Sequence, residues 1–115
     1  MFEEIVVSCR FYKSASGAEP VRVWLKGLSR DARREIGSDI LKVQRMWPVS
    51  RPLVGSFGDG LYEVVTSHRR NEYRVIFCIK EATMVLLHGF QKKTQKTPTA
   101  DLDLARRRRR EVHSS

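Results

Sequence analysis

Residues 61–90 read LYEVVTSHRRNEYRVIFCIKEATMVLLHGF, and this run decides the fold. Three stretches rich in β-branched and aromatic residues, Leu61–Ser67, Glu72–Ile79 and Thr83–Phe90, are parted by short polar joints at His68–Asn71 and Glu81–Ala82. Joints this short predict hairpins, so the three strands form an antiparallel meander. The middle strand, with YRVIFCI nearly continuous in apolar residues, is expected at the centre of the sheet.

Upstream, the period changes from two to 3.6. Val21, Trp24, Leu25 and Leu28 fall at i, i+3, i+4 and i+7, and Pro20 suits a first helical turn, where its missing N–H leaves nothing unpaired. Ser29 is a predicted N-cap for a second helix, with Asp31 in its first turn, an apolar face of Ala32, Ile36, Ile40, Val43 and Trp47, and Pro48 as its stop. Glu4–Tyr12 reads as a strand ahead of this helical hairpin, and the Pro- and Gly-rich residues 48–60 as a connection. After the meander, Gln91–Lys96 is a basic polar segment. Thr97-Pro98 then opens a last helix through Leu102, Leu104 and Ala105 into Arg106–Arg110. The order β-α-α-β-β-β-α is an α+β fold, a helical hairpin packed on a mainly antiparallel sheet.

The 115 residues suffice for one domain with one core. Twenty-two Lys and Arg against 13 Asp and Glu give a net charge of +9, which implies a polyanionic or acidic partner without choosing among RNA, DNA, membrane and polypeptide. Residues 1–50 carry nine basic and six acidic side chains, residues 51–115 thirteen and seven, so the second half builds most of the basic surface. Cys9 and Cys78 are distant from each other and from any His at ligand spacing, and are expected to be reduced and buried, with no metal and no cofactor. Glu3 and Glu4 stand where a secretory leader would be basic, and no apolar run could span a membrane, so the expected compartment is the cytoplasm.

If the turns are as short as they look, the meander sets Val65 opposite Arg74 and Arg74 opposite Gly89. One face then carries Leu61, Glu63, Val65, Arg74, Ile76, Cys78, Val85, Leu87 and Gly89, and Lys93 by continuation. The other carries Tyr62, Val64, Tyr73, Val75, Phe77, Met84, Leu86, His88 and Phe90 and is expected beneath the helices. Arg74, a charge in a central strand, needs a partner. Either it pairs with Glu63, or its planar fork meets a phosphate in an open concavity with Lys93 at the mouth. On this register His88 is a hydrogen-bonded core histidine. His68, beside Arg69 and Arg70, is better placed to touch RNA than to move protons. Arg106–Arg110 is either a solvated helix end or a nonspecific phosphate grip.

The stretch Val21–Arg107 resembles the RelE/ParE superfamily of toxins, in its phage-related HigB type. The resemblance is carried by V-x-x-W-L-x-x-L at Val21–Leu28, G-L-Y-E-V at Gly60–Val64, Y-R-V-I-F at Tyr73–Phe77 and L-L-H-G-F-Q-K-K-T-Q-K-T-P at Leu86–Pro98. It implies a RelE-like toxin domain over residues 1–105, with 106–115 a basic C-terminal tail. It further implies the toxin of a type II toxin–antitoxin system, a metal-independent mRNA endonuclease (mRNA interferase) working in the ribosome. There the RNA's own 2′-hydroxyl attacks the adjacent phosphate. The implied roles are Arg74 and Lys93 for the charge of the pentacoordinate phosphorus, Glu63 as a weak base or as the residue orienting Arg74, and Lys92, Lys96, Arg69, Arg70 and His68 as RNA contacts. The implied partner is a helix-turn-helix antitoxin of the HigA kind, with mRNA and the ribosome as targets. RelE carries two lysines where this chain has Glu63 and Val65. The alternatives are a ParE-like inhibitor of DNA gyrase and a noncatalytic nucleic-acid-binding module.

Overall fold

The computed structural model describes residues 4–93 and 96–114. Its elements run β1 (Ser8–Phe11), α1 (Pro20–Lys26), α2 (Arg30–Met46), β2 (Val54–Gly58), β3 (Leu61–His68), β4 (Asn71–Lys80), β5 (Thr83–Lys92) and α3 (Thr99–Ser114). The five strands form one sheet in the order β1-β5-β4-β3-β2, antiparallel except where β1 runs parallel to β5. Within 91–96, residues 94 and 95 lie outside the described residues.

The helical hairpin follows from local chemistry. Pro20 opens α1, and Ser29 caps α2 by accepting a hydrogen bond from the Ala32 N–H at 3.1 Å. Ala32, Ile36, Ile40 and Val43 form the buried stripe of α2, and Trp47, its C-cap, lies half-buried edge-on to Tyr62 and Phe77. Both hairpin joints of the meander are two-residue turns with positive φ, Arg69-Arg70 at 49° and 68° and Glu81-Ala82 at 50° and 59°.

Three expectations are corrected. Residues 48–60 are not only a connection, because Val54–Gly58 pairs with β3 as an edge strand. The first strand is shorter than Glu4–Tyr12: the N–H groups of Val6 and Val7 donate to the Gln44 carbonyl of α2 instead of to the sheet. Residues 106–114 are not a detached tail. They continue α3 across the sheet, with Val112 buried, Arg108 donating to the Leu87 carbonyl at 2.8 Å and the Tyr12 hydroxyl donating to Glu111 at 2.8 Å.

The sheet therefore has a core on each face. Val64, Val75, Phe77 and Met84 of the sheet pack against Val21 of α1 and Ile36 and Val43 of α2. Leu61, Ile76, Cys78, Val85 and Leu87 pack beneath α3 through Ala105 and Val112. β4 is buried on both sides, as its apolar run predicts.

Candidate nucleic-acid interface and charged cluster

A bulge in β5 decides which side chains share a face. Phe77 pairs with Leu86 but its neighbour Ile76 pairs with His88, so Leu87 is an extra residue in the ladder. From His88 onward every side chain is displaced by one position from the unbulged register. Arg74 lies opposite Phe90, not Gly89. His88 and Phe90 leave the hairpin-covered face for the α3 face, and by the same alternation Lys92 takes the parity expected of Lys93. Gly89 goes to the hairpin side, beneath Trp24, where a Cβ would stand 2.3 Å from a ring carbon. Only glycine admits that indole, so Trp24 and Gly89 together fix the shifted register.

The charged cluster on the α3 face is built from this register. Arg74, 7% exposed, donates through Nη1 to Glu63 and through Nη2 to Glu72 at 2.6 Å. The Glu63 side chain is 3% exposed, whereas that of Glu72, at the rim, is 38% exposed. The open concavity expected around Arg74 is thus not present: the guanidinium is buried and held by two carboxylates, the pairing alternative extended by one partner. Its Nε is buried without a hydrogen bond among the described residues. Thr97, in the approach to α3, donates to the second oxygen of Glu63 at 3.4 Å.

His88 lies in the same cross-strand row as Glu63, with Ile76 between them. Its Nε2 is 2.5 Å from Oδ1 of Asp101 in the first turn of α3, and its ring stacks on Phe90 at 5.6 Å. The sequence reading of His88 as a core histidine beneath the helical hairpin is corrected: the bulge puts it on the α3 face, half-buried and hydrogen-bonded to Asp101. The partner, Asp101, was missed, because nothing in the spacing of residues 88 and 101 signals contact.

The predicted RNA-contacting residues gather at one end of the sheet. His68 ends β3, Arg69 and Arg70 form the β3–β4 turn, and Lys92 pairs across from Glu72 near the start of β4. Lys93 follows Lys92 and is exposed, as is Lys96 one residue before Thr97. Arg69 reaches Asp31 of α2 at 3.5 Å, so the N-terminal turn of α2, with Arg30 and Arg33, borders the same end. A surface groove lined by Glu4, Val6, Lys42, Arg45 and Met46 lies at the opposite end of α2.

The arginine run contributes differently along α3. Arg108 stacks its guanidinium on the Tyr12 ring at 5.2 Å, and burial lowers its pKa. Burial and the hydrogen bond to Glu111 raise that of Tyr12. Arg107 and Arg110 face solvent. Burial pushes the Cys9 and Cys78 thiols up to about 11. Among the described residues, no three His, Cys, Asp or Glu side chains come together as a metal site would need, and no helix is long and apolar enough to cross a membrane.

Comparison with known sequences gives one family match: the profile described as phage derived protein Gp49-like (DUF891) covers residues 23–110. No curated protein matches the chain.

Proposed function

Because the chain belongs to the Gp49-like family of phage-derived proteins, we propose that it is the toxin of a toxin–antitoxin pair, a metal-independent mRNA endonuclease of the RelE/HigB kind. The observation that supports this reading is that Arg69, Arg70 and Lys92 lie at the end of the sheet where Glu72 and Arg74 stand, in one face with Glu63 and His88. Cations at the rim grip the RNA backbone, and the groups inside can move protons and hold charge.

The pairing of Arg74 changes its role without removing it. Glu63 is sealed and fixes one edge of the guanidinium. Glu72 is the outer, exposed partner and can swing into solvent, and an arriving phosphodiester takes its place on Nη2 as a second anion of similar geometry. Attack of the 2′-hydroxyl on that phosphate builds extra negative charge on the equatorial oxygens, which Arg74 and Lys92, on the same face, stabilise. Within this reading a basic toxin surface attracts an acidic segment of a helix-turn-helix antitoxin of the HigA kind. Cytoplasmic mRNA in the ribosome is the proposed substrate.

The test is cleavage of a defined mRNA on programmed ribosomes, read as new 5′ ends. The expected result is cuts at codon-related positions that Lys92→Ala/Lys93→Ala weakens and Arg74→Lys lowers by at least about tenfold. Arg74→Lys is preferred to Arg74→Ala because it keeps a cation against the sealed Glu63. The burial of Arg74 favours a second reading, a noncatalytic module that only grips nucleic acid. RNA binding with no cuts supports that reading, and inhibition of gyrase supercoiling without cuts supports a ParE-like poison.

A further inference from the structure

We infer that His88 and Asp101 form the proton-transfer pair of the proposed RNA cleavage, His88 as general base and Asp101 as the residue that positions it. The inference rests on the nuclease reading and names the acid–base group that the arginine and lysines do not supply.

Three observations point to it. The first is the bulge at Leu87, which turns His88 onto the face that holds Arg74 and Glu63. Bulges concentrate beside functional sites because one extra residue re-aims a side chain, and here the Trp24–Gly89 contact holds the re-aimed register in place. The second is the environment of the imidazole. It is fixed from both sides, by Asp101 at 2.5 Å and by the Phe90 ring, yet its side chain keeps 17% exposure and that of Asp101 25%. A histidine serving only as core would be sealed, as Glu63 is. The third is position. Phe90 lies directly opposite Arg74, and His88 is the diagonal neighbour of Arg74 on that face, about 7–8 Å away along the backbone. The imidazole and the guanidinium therefore occupy adjacent rows of one face of the sheet.

With Asp101 ionised, Nε2 carries the hydrogen and donates it to the carboxylate, which leaves the Nδ1 lone pair basic. Nδ1 takes the proton of the 2′-hydroxyl as the O2′–P bond forms. The P–O5′ bond breaks and the departing oxygen takes a proton from water. His88 then returns its proton to solvent. The products are a 2′,3′-cyclic phosphate and a 5′-hydroxyl end, with no net change in protons.

Single-turnover cleavage of a defined mRNA on programmed ribosomes tests the pair, with affinity for the same ribosomes measured separately. His88→Ala is expected to lose about 10²–10⁴-fold in rate with affinity unchanged, and added imidazole to restore part of the loss. His88→Gln keeps a polar group against Asp101 and covers the case in which the alanine variant does not fold; it is expected to lose the rate equally. Asp101→Asn is expected to lower the rate and not the affinity. A pair that only pins α3 to the sheet predicts otherwise: His88→Gln at wild-type rate, or a His88→Ala loss that imidazole leaves untouched, overturns the inference. Wild-type protein that makes no cut overturns the nuclease reading and the pair with it, whereas active His88→Gln overturns the pair alone.

Discussion

Gly89 shows how a single side chain, or its absence, governs the α3 face. A methyl group there meets the Trp24 ring at 2.3 Å, so Gly89→Ala is expected to cost about 1–3 kcal/mol in urea unfolding as α1 is forced outward. Arg74 carries a different risk. Replacing it with alanine leaves the sealed Glu63 without its cation, and a loss of about 3–5 kcal/mol is expected in the same measurement. Glu72→Gln, at the exposed rim, is expected to change stability by less than about 1 kcal/mol. The thiols give a pH dependence of definite sign. Folding favours the neutral form of Cys9 and Cys78, so their contribution is full below pH 9.0 and is lost as pH rises through about 11. Unfolding curves across that window should show falling stability, less steeply in Cys78→Ala than in the wild type. What the sequence could not show at this scale is parity. In LLHGF, apolar residues flank the histidine on both sides, so alternation alone does not say where an extra residue sits.

At the scale of the element, the helices were the most legible. The spacing of Val21, Trp24 and Leu25 and the cap at Ser29 correspond to α1 and α2, whereas Leu28, expected on the same helical stripe, lies past the Gly27 C-cap in the joint. The meander was legible as well, since its polar joints are the two-residue turns. β2 escaped notice because VGSFG has two glycines and follows a proline, a composition that suits an irregular edge strand as much as a loop. The arginine run concealed the packing of α3: one stripe holding Ala105, Arg108 and Val112 faces the sheet while Arg107 and Arg110 face water. Deleting residues 106–115 is therefore expected to cost about 3–5 kcal/mol, through lost burial of Val112 and the bonds of Arg108 and Glu111. Calorimetry checks this, and an unchanged melting temperature would contradict the docked helix.

At the scale of the molecule, residues 51–115 supply six of the net charge of +9, and their cations include those at the turn-and-lysine end of the sheet and on the outer side of α3. If the sheet end grips single-stranded RNA through five cations, log Kd against log salt should have a slope of about 3.5, near 0.7 per contact. Arg69→Ala/Arg70→Ala should lower that slope by about 1.4, whereas Arg107→Ala/Arg110→Ala should leave it nearly unchanged. Salt-titrated RNA binding decides which surface is used. The composition showed the charge and its bias to the second half; the pairing of β3, β4 and β5 determined where it collects.

The covering of the sheet by α3 has a consequence for biosynthesis. A polypeptide is made from its N-terminus, so α1 and α2 are available to the sheet as soon as the strands exist, but the helix that roofs the other side is translated afterwards. Until it emerges, the strip of Leu61, Ile76, Cys78, Val85 and Leu87 stays wet, and such a nascent intermediate is open to chaperones and to self-association. His88 meanwhile lacks its aspartate, so the pairing of those two groups is a late event in the maturation of the chain.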